Sequence, residues 1–129
     1  MRDDSTLDEL DPPAWGPPDY DSHLVRTCHA LRTKPLSQFT AEDFRIMIGQ
    51  RIALNQLIPR ALAALKTNPL AKGDFGPGDL LVSVLRSPGP SYWKLHPDQA
   101  RDLYGIIRSV ETDDEDIIGA IDAFRSTQP

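Results

Sequence analysis

Prolines divide this chain into short stretches, and their spacing limits the length of every helix or strand between them. The chain has 12 prolines in 129 residues, roughly 9% where ~5% is usual. Because proline lacks an amide proton and fixes φ, it breaks helix interiors and is confined to the edges of sheets. The length still suffices for one hydrophobic core. We therefore expect one folded domain built from short elements.

Between the prolines, apolar residues recur with the period of an α-helix. The clearest stripe predicts a central helix and consists of Leu54, Leu57, Ile58, Ala61, Leu62 and Leu65. Similar spacing predicts further helices over 24–31, 40–49, 80–85, 97–110 and 112–124. Residues 80–85 could also form a strand, although the spacing favours a helix, and 73–79 is predicted to be a compact loop. The fold class that follows is all-α, a small bundle of about six short helices.

The ends of three helices are predicted from single residues. Asn55 is expected to cap the central helix, which would place Pro59 close to its start, where proline does little damage. Pro97 is expected to open the following long helix. Thr112 and Glu115 have the spacing of a capping box, so they predict the start of the last helix.

Negative charge is concentrated at the N-terminus. Residues 1–21 carry seven acids and one base, whereas residues 22–129 carry twelve acids and thirteen bases. The first segment also holds four prolines and few aliphatic residues. We therefore expect an extended, flexible acidic arm over 1–21, outside the core, and a helical domain over 22–129. The sequence pI of about 5.0 argues against general affinity for nucleic acid, because phosphate binding needs concentrated Lys and Arg.

The sequence lacks the motifs of the common enzyme classes: it has no phosphate-binding glycine loop, zinc-protease motif or serine-hydrolase motif. His23, Cys28 and His29 would point in three directions around one helix, so they cannot share a metal ion. Cys28 lies on the apolar stripe and is predicted to be buried, and a single cysteine excludes an internal disulfide. We expect no enzyme, no cofactor and no metal. No apolar run is long enough to cross a membrane.

Four consecutive carboxylates at residues 113–116 form the densest acidic group outside the arm. The simpler interpretation is a solvated helix start that matches the helix dipole. The functional interpretation is an acidic patch that meets a basic partner. Asn55, Gln56 and Arg60 leave a different class of protein open, a small helical regulator of nucleic acid, since a recognition helix exposes such residues near its start.

Four blocks of the sequence, in this order, resemble the pattern of immunity proteins from contact-dependent growth inhibition (CDI) systems. The blocks are Leu36–Gln50, Leu57–Leu62, Asn68–Leu81 and Tyr92–Pro97. Any one block is weakly specific, whereas their joint order is fairly specific. Gly76 departs from the pattern, in which a bulky aromatic residue is expected between Phe75 and Pro77.

The resemblance implies a helical, non-enzymatic, cytoplasmic protein that neutralises a cognate CDI toxin domain by covering its active site or substrate cleft. The toxin is expected to be a nuclease, whose basic cleft an acidic surface would complement. Residues 22–110 carry twelve bases and six acids, which leaves open an acidic partner or a mainly apolar contact. The apolar face would lie around Phe75, Tyr92 and Trp93. The expected toxin-binding residues are Asp113, Asp114, Glu115, Asp116, Asp19, Asp21, Asp74, Tyr92 and Trp93. Neither a nucleic acid nor a membrane is expected as a partner.

Overall fold

A computed structural model describes residues 5–16 and 22–127. Over these residues the chain forms eight α-helices, namely α1 (Leu7–Leu10), α2 (His23–Leu31), α3 (Ala41–Gly49), α4 (Leu54–Thr67), α5 (Asp79–Arg86), α6 (Pro90–Leu95), α7 (Pro97–Ile107) and α8 (Glu115–Thr127). A short antiparallel hairpin separates α4 from α5 and pairs β1 (Lys72–Gly73) with β2 (Gly76–Pro77). One 3₁₀ turn, Leu36–Gln38, precedes α3. The predicted all-α class is confirmed.

The core is built around α4 and α5. As predicted, Leu57, Leu62 and Leu65 of α4 are buried. Helix α4 packs against α3 and α7, while α5 lies between α3 and α8. The helical period of residues 80–85 reflects a true helix, because its apolar positions are buried together while its opposite face is exposed in part.

Two helices exceed the predicted number of about six. They are α1 and α6, with four and six residues. An element of fewer than two turns is too short to show an apolar period, so its sequence carries no recognisable stripe. The predicted loop over 73–79 contains all of the hairpin except Lys72 and ends, as expected, where α5 begins.

Two predicted helix caps are wrong. Helix α4 begins at Leu54, after Ala53 adopts a left-handed backbone (φ 51°, ψ 44°), so Asn55 already lies inside the helix. At α8 the cap is Asp114, whose Oδ1 accepts the amide protons of Asp116 and Ile117. A carboxylate at that position satisfies two free amides, which Thr112 does not reach. Pro97 opens α7 as predicted.

The N-terminal segment 5–16, here called the strap, packs against the domain. Leu7 is fully buried in the core, and the amide of Asp8 donates to the carbonyl of Arg32 at 3.0 Å. The prediction that the arm lies outside the core is therefore wrong at Leu7, while residues 9–16 stay exposed as they pack against the domain. Charge repulsion among its acids is offset because the buried Arg32 guanidinium pairs with Asp8 and Asp11. The domain boundary at residue 21 stays a prediction.

Candidate functional site

The hairpin that carries Asp74 is held in shape by the carboxylate of Asp79. Its Oδ1 accepts the amide proton of Gly73 at 2.7 Å, and its Oδ2 accepts that of Phe75 at 3.0 Å. Because Asp79 is the first residue of α5, these bonds tie the turn directly to a helix of the core. The loop is therefore fixed by its own chain before any partner arrives.

A second carboxylate, from α3, secures the other side of the turn. Glu42 accepts the amide proton of Asp74 at 2.9 Å and forms a two-point ion pair with the guanidinium of Arg45. The hydrogen bond from Arg45 lowers the pKa of Glu42 and is the largest cause of that shift. Arg45 also lies 3.7 Å from Asp79. Glu42 thus stays ionised at neutral pH, and the cluster joins α3, the hairpin and α5.

Phe75 stands at the tip of this hairpin with its ring against Arg45. The guanidinium carbon lies 4.3 Å from the ring centroid, a cation–π distance. The side chain is nevertheless 82% exposed, the largest fraction among the large hydrophobic residues in the described parts of the chain. An aromatic ring that is fixed on one face and open on the other is a feature that a partner can cover.

The start of α8 presents the acidic run that the sequence singled out. Residues 113–116 are all exposed. Asp114 is held in place by its capping bonds, while the backbone carbonyl of Asp116 accepts a hydrogen bond from Arg86 at 3.4 Å. The carboxylates of Asp113, Glu115 and Asp116 therefore point from a fixed helix end toward solvent.

These two features face one groove, here called the hairpin groove, of about 410 Å³. It runs between the hairpin, α5 and the start of α8. Gly78, before α5, lies in close contact with the side chain of Ile117 in α8. A Cβ at Gly78 would lie 2.5 Å from Cδ1 of Ile117, and the residue has a φ of +84°. The charged or aromatic residues that line the groove are Arg45, Phe75, Asp79, Arg86, Asp114 and Asp116.

The structure separates the predicted site residues into three groups. Asp74 and residues 113–116 lie exposed on or beside the hairpin groove. Tyr92 and Trp93 are buried in the core, where they contact each other edge to face. Asp19 and Asp21 lie outside the described residues. The lining residues Arg45 and Arg86 were missed, since only the fold brings them to the groove.

Tyr92 has the environment of a core residue. Its hydroxyl donates to Gln99 at 2.5 Å, and burial raises its pKa to about 12. The ring stacks on His96, whose Nδ1 lies 2.9 Å from the carbonyl oxygen of Tyr92. These contacts occupy the polar end of Tyr92 and fix the connection between α6 and α7.

Neither the cysteine nor the possible metal ligands of the described residues form a reactive site. Cys28 is buried as predicted, and this burial raises its pKa, so the thiol is protonated at neutral pH. Within 5–16 and 22–127, no three His, Cys, Asp or Glu side chains are placed to hold a metal ion. In the same ranges, no helix is both long and apolar enough to span a bilayer.

The residues behind the nucleic-acid alternative lie at the start of α4. Asn55 is exposed, whereas Gln56 and Arg60 are half-buried. The guanidinium of Arg60 donates at 2.6 Å to the backbone carbonyl of Gln56 on the same helix. Arg60 is thus held along α4 instead of extending from it, which weakens its likeness to a recognition-helix arginine.

The family model described as CDI immunity proteins matches residues 9–103. This chain belongs to that family. The matched range includes most of the strap, the whole hairpin and Phe75, and it ends within α7, before the acidic start of α8. Searches of curated proteins and of solved structures find no significant match. Membership in the CDI immunity family implies a cognate CDI toxin as partner and toxin neutralisation as the task.

Proposed function

We propose that this immunity protein binds the C-terminal domain of its cognate CDI toxin in the cytoplasm, and that this domain is a nuclease. Binding would cover the active site or the substrate cleft, so no catalytic group is required of the immunity protein. The observation that carries the proposal is the hairpin groove, where an acidic helix start and an exposed aromatic side chain lie on one surface.

The charge of this surface fits a nuclease. The groove is lined by three carboxylates, from Asp79, Asp114 and Asp116, and by the two guanidiniums of Arg45 and Arg86. Asp74, Asp113 and Glu115 adjoin these residues in sequence and are exposed, as is Lys72 of the hairpin. A nuclease attracts a polyanion and therefore concentrates Lys and Arg around its cleft. Opposite charge speeds the encounter of the two proteins and orients them as they meet.

The acidic start of α8 is also suited to binding by its rigidity. Asp114 is fixed through two amide protons, so ordering it on binding costs little conformational entropy. The positive end of the helix dipole partly offsets the four charges at close range. We therefore assign residues 113–116 chiefly to the rate of association. Asp19 and Asp21, outside the described residues, remain proposed secondary contributors.

The test is co-expression with the C-terminal domain of the cognate CDI toxin, followed by measurement of association rates with the purified pair. In the first variant, Asp113, Asp114 and Asp116 are replaced by Asn, which keeps side-chain shape and the capping ability of residue 114. We expect association to slow about tenfold or more and to lose much of its salt dependence. Degradation of RNA or DNA by the free toxin domain tests its nuclease activity.

A matched control removes the same charge elsewhere. Asp98, Asp102 and Asp122 are exposed and lie outside the hairpin groove, so their replacement by Asn should change the rate far less. Equal slowing by both variants would mean that net charge alone acts. An unchanged rate in the first variant at low salt would remove residues 113–116 from the mechanism, and failure of the unmodified protein to protect cells would refute the proposal.

A further inference from the structure

Among the large hydrophobic side chains of the described residues, Phe75 is the most exposed, at 82%. The next most exposed large hydrophobic side chain among the described residues is that of Leu95, at the end of α6. It is 77% exposed but does not line the hairpin groove. Phe75 lines that groove and is bordered by Asp74 in sequence. An apolar centre with a charged border is the usual arrangement of a protein interface.

The hairpin holds Phe75 rigidly in this exposed position. Three consecutive backbone amides, from Gly73 to Phe75, donate to carboxylates of Asp79 and Glu42. Gly73 allows the close approach of these carboxylates, because a Cβ there would lie 2.6 Å from Oε1 of Glu42 and 2.7 Å from Oδ2 of Asp79. A ring held in this way loses little freedom on binding, which favours a tight contact.

Arg45 fixes one face of the ring and leaves the remainder open. The guanidinium lies 4.3 Å from the ring centroid and is itself held by Glu42. Folding therefore covers one side of Phe75 without burying it. A purely structural role in the core is excluded by the exposure of 82%.

We infer that Phe75 is the apolar anchor of the toxin interface, inserted into a recess of the toxin that is bordered by Lys and Arg. The inference rests on the proposed function and names the surface that carries it. Charge complementarity selects the partner, since Asp114 and Asp116 line the groove together with Phe75, and the exposed Asp74 precedes the ring in sequence. The electrostatic border governs how fast the toxin arrives, and Phe75 governs how long it stays.

The experiment compares Phe75→Ala with Leu95→Ala in the full chain, using the purified C-terminal toxin domain as the probe. Both variants remove a highly exposed apolar side chain, so they are matched in exposure and differ in location. We expect Phe75→Ala to raise Kd about 100-fold or more, mainly through faster dissociation, and Leu95→Ala to change it less than threefold. Phe75→Leu should fall between Phe75→Ala and the unmodified protein.

The outcomes separate this inference from the proposed function. If the unmodified protein does not bind the toxin domain, the proposed function fails. If it binds, and Phe75→Ala has the same Kd as Leu95→Ala, Phe75 is not the anchor and the inference is overturned. Thermal unfolding and circular dichroism of Phe75→Ala show whether the fold is intact. If this variant unfolds early, the intermediate Kd expected of Phe75→Leu decides the matter, and a Phe75→Leu that binds as the unmodified protein does contradicts the anchor role.

Discussion

Two arginines in this protein have the same kinds of partner in opposite surroundings. Each guanidinium lies close to two carboxylates and against one aromatic ring. The partners are Asp8, Asp11 and Trp15 for Arg32, and Glu42, Asp79 and Phe75 for Arg45. The side chain of Arg32 is 1% exposed, whereas that of Arg45 is 19% exposed. Arg32 therefore anchors the strap to the core, whereas Arg45 supports an exposed loop.

Arg32 fixes the strap by using backbone as well as side-chain acceptors. Its Nη2 donates to the carbonyl oxygens of Asp11 at 2.6 Å and Pro13 at 3.2 Å, in addition to the two ion pairs. Trp15 packs over it and also contacts His29 edge to face. A buried charge needs such complete pairing, so the acids of the strap serve folding.

Around Arg45 the acids serve the loop instead. Glu42 and Asp79 pair with the guanidinium and also accept the amide protons of the hairpin. The result is an aromatic ring that points out of the molecule. An arginine paired with carboxylates therefore holds the strap against the core at Arg32, and holds the hairpin on the surface at Arg45.

The largest expected effect tests this comparison directly. Arg32→Met leaves Asp8 and two carbonyl groups without their buried partner, so we expect a loss of about 3 kcal/mol in the free energy of unfolding. Arg45→Met, the matched variant, should cost about 1 kcal/mol because water reaches that cluster. Urea unfolding measures both. Equal losses in the free energy of unfolding would show that the two arginines stabilise the fold to the same extent, which would contradict the comparison.

A smaller effect is expected at Gly78, where the hairpin meets α8. Gly78→Ala should lower the free energy of unfolding by about 2 kcal/mol, because a left-handed backbone costs 1–2 kcal/mol and the new Cβ meets Ile117. The loss should shrink in an Ile117→Val background, which removes the Cδ1 atom that lies 2.5 Å away. An unchanged loss in that background would mean that the backbone conformation alone causes it.

The sequence predicted the parts of this molecule that depend on period and local chemistry. Helices of eight or more residues show a stripe, and the turn before Asp79 follows from its glycines. The strap could not be predicted, because its burial depends on Leu7 and on an arginine more than twenty residues away. The composition of the N-terminal segment shows acids that repel one another. It does not show that Arg32 would be buried beside Asp8 and Asp11.

The candidate site divides in the same way. Residues 113–116 are visible in the sequence as a run of carboxylates, and unpaired charged side chains are almost always exposed. Tyr92 and Trp93 could not be told from anchors, since aromatic residues suit a core and an interface equally well. Phe75 differs from them only in position, because Asp79 and Glu42 hold its loop away from the core.

The smallest expected effect concerns Glu42 and depends on pH. Glu42→Gln keeps an acceptor for the amide of Asp74 and removes the charge that pairs with Arg45. Because the hydrogen bond from Arg45 lowers the pKa of Glu42 below its ordinary value of 4.5 in the folded protein, the carboxylate stabilises the fold fully above that pH. Its contribution, about 1 kcal/mol, is lost as pH falls through the folded pKa.

The difference in unfolding free energy between unmodified protein and Glu42→Gln should therefore be largest near pH 7 and shrink at acidic pH below 4.5. Asp98→Asn is the control, because that side chain is 92% exposed in its pair with Arg101 and should give no comparable trend. A difference that stays constant down to acidic pH would mean that Glu42 supports the hairpin by shape and not by charge. The Arg45 cluster would then hold Phe75 through hydrogen-bond geometry alone, and its likeness to the ion-paired Arg32 cluster would end there.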